Sequence, residues 1–395
     1  MRVAVLGAFP YPYPQGSQVF VTDHSRALAR SGVNVSLFTY GSGLGAPPED
    51  LTRFPTPTWL TPSAMRSGPT LGKFPADAGL LATYLAAHRR EHFDIAFAHN
   101  AEAAMIAIAA RPFTKTPVVY IAHTVLEHEL AAYAPSAWDS LLTRAGAAVD
   151  RFIAKRADGI IALCEDARDA LAPYALGPIT IIPPGLDAEP APAQEQVHDV
   201  CTRFSLTPDR FALYCGNLDG YQDLDLLADA ARHLASCSPA ASEAGLPLVI
   251  ATHDASRIPN ALGGVPNLSI IEVDDFAETR ALIAAAQSVV LSRRRRGGFP
   301  IKLLNYMNAR KPIVAFTRVA PGFEPMQNAW LLDQDDGGVQ LGEALHSLSL
   351  QPELRKALGE GACQLLTRDH QWAQLTQKTR AFVETVLARR SAQGS

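Results

Sequence analysis

The chain has 395 residues, 48% of them hydrophobic and 19% charged, with a formal net charge of -4. That length exceeds one ordinary hydrophobic core and predicts two domains of similar size. The slightly acidic balance argues against general nucleic-acid binding, and five cysteines without paired spacing argue against a disulfide framework or a zinc site.

A strand-like run starts directly after Met1-Arg2 and is too short for a signal peptide, and no apolar run reaches the length of a membrane span. A reducing compartment suits Cys164 and Cys215 as small core residues. The expected location is the cytoplasm, with peripheral contact at the inner face of the membrane left open. Short apolar runs then predict strands at 3–7, 33–39, 94–98, 117–122, 159–163 and 179–182. Helical periodicity separates them at 19–30, 78–90, 101–110 and 138–156. Such alternation implies a parallel sheet covered on both faces. The segment 40–75 is rich in Pro, Gly and Thr without a period, as functional or mobile loops are. Pro183-Pro184-Gly185 closes this half, and 187–196 has linker composition.

A second series follows, with strands at 211–215, 246–252, 268–273, 288–291, 313–316 and 329–332. Helices intervene at 224–235, 277–286 and 301–308, with a surface loop at 236–245 and a helical tail over 340–390 broken near Asp369-His370. Within this series 288–315 is the most informative stretch. A buried strand runs into Arg293, Arg294, Arg295 and Arg296, then Gly297-Gly298-Phe299-Pro300, then a helix carrying Lys302 in its first turn. A βαβ unit sets that loop at the carboxyl edge of a parallel sheet. Unpaired helix N–H groups, glycines and clustered guanidinium groups there favour phosphate. The bland alternative is a solvated arginine run, which a position between a buried strand and a glycine-rich helix entrance makes unusual.

Several segments in this order resemble the GT-B glycosyltransferases of family 4. They are Phe9-Pro10 through Gly16-Ser17; Phe93 through His99-Asn100; and Pro117 through His123. Ala157 through Leu163, Ile181 through Asp187, and Tyr214-Cys215-Gly216-Asn217-Leu218 complete the set. The resemblance covers essentially the whole chain. It implies an α/β GT-B architecture of two doubly wound Rossmann-like domains facing across a cleft. On this expectation 1–186 form the acceptor-side domain and 187–369 the donor-side domain, and 370–395 form a helix packing back on the first. It implies transfer with retention from a UDP- or GDP-linked nucleotide sugar, no required metal or other cofactor, and a glycan, lipid-linked or small-molecule acceptor. His123, Glu102 and Asn100 become the expected catalytic residues. The expected donor-binding residues are Gly16, Ser17, Gly216, Asn217, Arg294, Arg295, Gly298, Phe299, Pro300, Lys302 and Asn305.

Two departures from the family pattern stand out. No arginine follows Gly216, and the two glutamates the family carries with seven residues between them are replaced by Gly297 and Asn305. The arginine run and Lys302 are the expected compensation for the missing cations, and Asn305 the expected ribose contact. A non-catalytic GT-B subunit or a nucleotide-sugar epimerase are the competing readings. Glu127-His128-Glu129 lacks metal-ligand spacing and reads as a solvated helix start. The helix at 138–156, with Arg144, Arg151 and Lys155, reads either as a face for a lipid-linked acceptor or as an ordinary exposed surface.

Overall fold

The computed structural model describes residues 1–13, 15–61, 73–130, 138–237, 245–295 and 297–393. Most of the expected loop at 236–245, part of the loop at 40–75, and Arg296 lie outside the described residues. The chain divides into two compact units: Met1–Gly185 with Gly297–Phe299 and the segment from Trp372 onward, and Leu186–Arg296 with Pro300–Gln371.

The first unit runs β1 (Arg2–Pro10), α1 (Gly16–Arg30), β2 (Asn34–Tyr40), β3 (Thr52–Pro55), α2 (Lys73–Glu91), β4 (Ile95–His99) and α3 (Ala101–Thr114). It continues with β5 (Val118–Ala122), α4 (Leu126–Glu129), α5 (Asp139–Ala154), β6 (Gly159–Ala162), α6 (Glu165–Leu171) and β7 (Ile179–Ile181). Its seven strands are all parallel, in the order β3-β2-β1-β4-β5-β6-β7. Central strands are buried on both faces, which is why they read as continuous apolar runs. The edge strand β3 has no buried residue, so nothing apolar announced it in the segment expected to lack structure. Helix α4 falls where Glu127-His128-Glu129 read as a helix start; α6 was not anticipated, being seven residues long and too brief to show a period.

The second unit runs α7 (Gln194–Arg203), β8 (Ala212–Cys215), α8 (Asp225–Ser236), β9 (Leu248–Thr252), β10 (Leu268–Glu272), α9 (Phe276–Ala285) and β11 (Ser288–Leu291). After it come α10 (Lys302–Asn308), β12 (Ile313–Phe316), β13 (Trp330–Leu332), α11 (Gly338–Leu350) and α12 (Pro352–Asp369). The six parallel strands follow the order β10-β9-β8-β11-β12-β13. Helix α7 starts inside the stretch that had linker composition, burying Val197, Val200 and Cys201. The tail is interrupted at Gln351 as well as before Trp372.

The last helix, α13 (Trp372–Gln393), belongs to the first unit. A Cβ on Gly159 in β6 would come within 2.6 Å of Val386 Cγ2 and 3.0 Å of Phe382 Cζ. Strand and helix therefore meet at a distance only glycine permits. Phe382 and Val386 are buried, each worth roughly 1.5–3 kcal/mol of apolar transfer. Arg390 ties the far end down, with Nη1 2.7 Å from Asp158 Oδ1.

In each sheet the chain reverses its direction of winding once, between β1 and β4 and between β8 and β11. Open α/β sheets bind ligands at the carboxyl ends of the strands at such switch points, where neighbouring loops part to opposite sides.

Candidate functional site

At the switch point of the second sheet, β8 ends in Cys215 and the chain turns through Gly216, with φ +152°. A Cβ on Gly216 would lie 2.6 Å from Lys302 Nζ. Lys302 opens α10 and folds its side chain back over the Tyr214 ring, with Nζ 4.1 Å from the ring centroid. Its Nζ is inaccessible to solvent and makes no hydrogen bond among the described residues. Burial drives the Lys302 pKa down to about 7, and Arg293 repels it further. An ammonium kept dry without an acceptor is costly, and an arriving anion removes that cost.

The surrounding loops are braced. Tyr306 donates its hydroxyl to the Val290 carbonyl at 3.5 Å and accepts from the Cys215 N–H at 3.1 Å, joining α10 to both switch-point strands. Ser292 donates to the Gln222 carbonyl at 2.6 Å. Arg293 is buried, whereas Arg295 is exposed. Arg294 is anchored by Asp223, which accepts from its backbone N–H at 2.7 Å and lies 4.0 Å from its Nε. Asp223 thus shares the charge of Arg294.

Asn217, expected to bind the donor, directs its amide to its own loop. Its Nδ2 donates to Asp219 at 2.7 Å and to the Tyr221 hydroxyl at 3.1 Å, and its Oδ1 accepts from Gln222 at 2.9 Å. The amino terminus of α10 was expected to offer unpaired N–H groups. Instead Leu303 N–H donates to the Pro300 carbonyl at 2.9 Å and Leu304 N–H to that of Ile301 at 3.0 Å. Asn305 is half-buried three residues beyond Lys302 on the same helix. Pro300 and Phe299 are buried, and Gly298 has φ +64°, a left-handed conformation suited to glycine.

In the first unit, His123 follows β5 at the carboxyl edge of the sheet, as expected. Its Nε2 is 2.9 Å from Nδ1 of His99, the last residue of β4. His24 of α1 stacks on Phe97 (centroids 5.8 Å apart, 2° between planes) and on Trp372 of α13 (5.7 Å, 19°). It also meets His99 edge-on at 5.7 Å. Phe20 contacts all three histidines and Trp372. Burial lowers the His123 pKa to about 3 and that of His24 to about 4, and it depresses His99 as well, so all three rings are neutral near pH 7. The rings do not form a metal-ligand set among the described residues. Gly297–Phe299 groups with this unit, where a Cβ on Gly298 would meet the His123 carbonyl oxygen at 2.3 Å.

Asn100, expected to be catalytic, caps α3. With φ +81°, it accepts from Ala103 N–H at 3.0 Å and donates to the Ala8 carbonyl at 3.2 Å. Glu102 is part-exposed and pairs with Lys73 at 3.3 Å. Gly16 and Ser17 start α1, whose first turn has no side-chain cap. Glu129 is not the solvated residue expected: it accepts from Thr124 Oγ1 at 2.5 Å, and burial raises its pKa.

Sequence reasoning missed His24, His99 and Trp372. A signal for His99 existed, because it ends an apolar strand as His123 nearly does. His99 pairs with Ile121, so His123, two residues on, lies on the same face of the sheet.

The family model Glycosyltransferase Family 4 matches residues 14–190, and the model Glycosyl transferases group 1 matches 209–350. The chain is 25% identical over 389 residues to a D-inositol 3-phosphate glycosyltransferase of Actinosynnema mirum, covering 91% of this chain and 92% of that protein. Sucrose-phosphate synthase from Thermosynechococcus elongatus shares the fold with a TM-score of 0.79 at 15% identity, over 98% of this chain and 99% of that one. HepE of Anabaena, solved in complex with UDP-glucose, matches with a TM-score of 0.69 at 15% identity, over 98% of this chain and 100% of that one. No helix among the described residues is long and apolar enough to cross a membrane.

Proposed function

From the premise that this chain is a glycosyltransferase of the GT-B fold resembling family 4, we propose that it takes its sugar from a UDP- or GDP-linked donor, with retention and without a metal. The observation that carries this reading is the dry, unpartnered ammonium of Lys302 beside Gly216 at the switch point. When the bond between the anomeric carbon and the diphosphate oxygen breaks, negative charge builds on the leaving group. A preorganised cation in a water-excluded place lowers the energy of that state. Binding the diphosphate restores full protonation of Lys302, so one group serves both capture and departure of the leaving group. Arg294 and Arg295 add charge at the rim, and Asn305 holds the ribose. We read His123, which is neutral, as a hydrogen-bond partner of the sugar, and Glu102 as facing the acceptor. The UDP-glucose complex of HepE is consistent with such a donor.

The outer face of α5 supports a lipid-linked acceptor. Trp138, Leu141 and Phe152 are exposed along it, and Arg144, Arg151 and Lys155 flank them. Interfacial helices combine apolar and basic residues in this way. Thermal-shift screening against nucleotides, followed by turnover of UDP-glucose and GDP-mannose in EDTA, tests the donor reading. The expected result is stabilisation by one nucleoside diphosphate and turnover that survives the chelator. Binding without any turnover would favour a scaffold, and loss of turnover in EDTA with rescue by magnesium would reject the metal-free mechanism. Co-sedimentation with phosphatidylglycerol vesicles but not phosphatidylcholine vesicles is expected if the acceptor sits in a membrane.

A further inference from the structure

We infer that His99 is a positioning residue, which fixes the ring and tautomer of His123 so that His123 presents its Nδ1–H as a hydrogen-bond donor. The inference rests on the reading of His123 as the group beside the donor sugar.

Only one proton can occupy the 2.9 Å line between His99 Nδ1 and His123 Nε2, and both rings are neutral. Two arrangements satisfy that line. In the first, His99 carries its proton on Nδ1 and donates it to His123 Nε2. His123 then holds its own proton on Nδ1, and His99 Nε2 is a bare lone pair. In the second, His123 donates from Nε2, so His99 must carry its proton on Nε2. That atom is buried and has no hydrogen-bond partner among the described residues. The second arrangement therefore strands an N–H donor in an apolar enclosure, whereas the first leaves only an unfilled acceptor. Orphaned buried N–H groups are the rarer defect in native proteins.

Among the described residues the enclosure supplies no alternative partner. Phe20 lies 5.7 Å from His99 and 5.0 Å from His123, and His24 meets His99 edge-on. His24 and His123 are the titratable groups acting on His99, and neither is charged near pH 7. Trp372 lies 5.8 Å from Phe20 and 5.7 Å from His24, closing the side of the cluster away from the sheet. His123 keeps partial exposure, so its remaining nitrogen is the one available to a ligand. A sugar hydroxyl meeting it would accept the hydrogen bond. A donor held in place before substrate arrives need not reorient during reaction.

The direct test is the imidazole nitrogen spectrum of protein labelled with ¹⁵N-histidine, assigned with His123→Gln and His99→Asn variants. The expected pattern gives His123 a protonated Nδ1 and a bare Nε2 without any ligand. Protonated Nε2 on His123 would overturn the inference, whatever the activity. The kinetic arm uses turnover of UDP-glucose or GDP-mannose. His99→Leu is expected to lower kcat roughly tenfold or more, as loss of a tautomer-fixing partner does, with KM little changed. His99→Asn, which offers an amide N–H near the Nδ1 position, should recover most of that loss. A folded His99→Leu protein with normal kcat would refute the positioning role. Normal kcat in His123→Ala would instead remove the sugar-contact reading of His123, and the spectrum would then decide the pairing alone.

Discussion

Replacing Lys302 with methionine should make the protein more stable and worse at its work. Burial lowers the lysine pKa from 10.5 to about 7. A shift of about 3.5 units corresponds to about 5 kcal/mol at 1.36 kcal/mol per unit. Because the folded-state value is the lower one, the unfolded chain holds the proton more firmly. The penalty is therefore complete below pH 7 and fades as pH rises from 7 toward 10.5. Contact with the Tyr214 ring offsets up to about 2 kcal/mol, leaving about 3 kcal/mol to be gained by the uncharged, similarly sized side chain. For a unit of this size that is a rise in Tm of roughly 6–12 °C, read by scanning calorimetry at pH 6.5. Titration calorimetry with UDP and GDP should show the opposite change. A lost charge-assisted contact of about 1.5–3 kcal/mol weakens binding of the preferred nucleotide about 10- to 150-fold. In the unaltered protein the same affinity should decline above pH 7, as the apo lysine loses its proton. A Lys302→Met protein with lower Tm and unchanged diphosphate affinity would refute the reasoning, because the ammonium would then be a satisfied structural group.

Gly216→Ala should displace the Lys302 side chain, since the new Cβ would meet Nζ at 2.6 Å and the residue would keep a φ of +152°; weaker UDP or GDP binding by calorimetry is expected, and unchanged affinity would disconnect this turn from the site. Asn305→Leu should cost about 1–3 kcal/mol of donor affinity by leaving ribose hydroxyls unpaired; a normal donor KM would place the ribose elsewhere. In acid, the neutral burial of His24 and His123 gives stability that is fully present above pH 6.5 and is lost as pH falls toward 4 and 3. His24→Phe should therefore move the acid-unfolding midpoint, followed by tryptophan fluorescence, to lower pH.

The sheets were legible because strands such as Val118–Ala122 and Val289–Leu291 are buried on both faces and so carry only apolar side chains. The position of Lys302 in the first turn of a short helix after a glycine-rich loop was legible as well. What escaped depends on contacts between distant parts of the chain. Asp223, which shares the Arg294 charge, lies 71 positions before it, and nothing local marks that pairing. Asn100 follows a strand at the carboxyl edge, and the same position is where a helix needs a cap. The sheet edge supplies ligand-facing and cap-forming polar residues in one pattern, and only their hydrogen bonds tell them apart. His24 and Trp372 sit on helices far apart in sequence, so their pairing belongs to tertiary structure alone.

The return of α13 to the first unit gives the order of synthesis a physical role. A chain emerging from the ribosome amino terminus first can pair all seven strands of the first sheet once Ile181 is out. Its histidine cluster still lacks the Trp372 wall, and Gly159 still faces no Phe382 or Val386. Domains ordinarily fold as units while translation proceeds. Here the earlier-made unit waits for the later-made one, because the whole second sheet is translated before the helix that completes the first. The Trp372 wall of the histidine cluster therefore arises only after both sheets have been made, and a nascent chain stalled before residue 372 would carry a sheet with an open, apolar flank in search of cover.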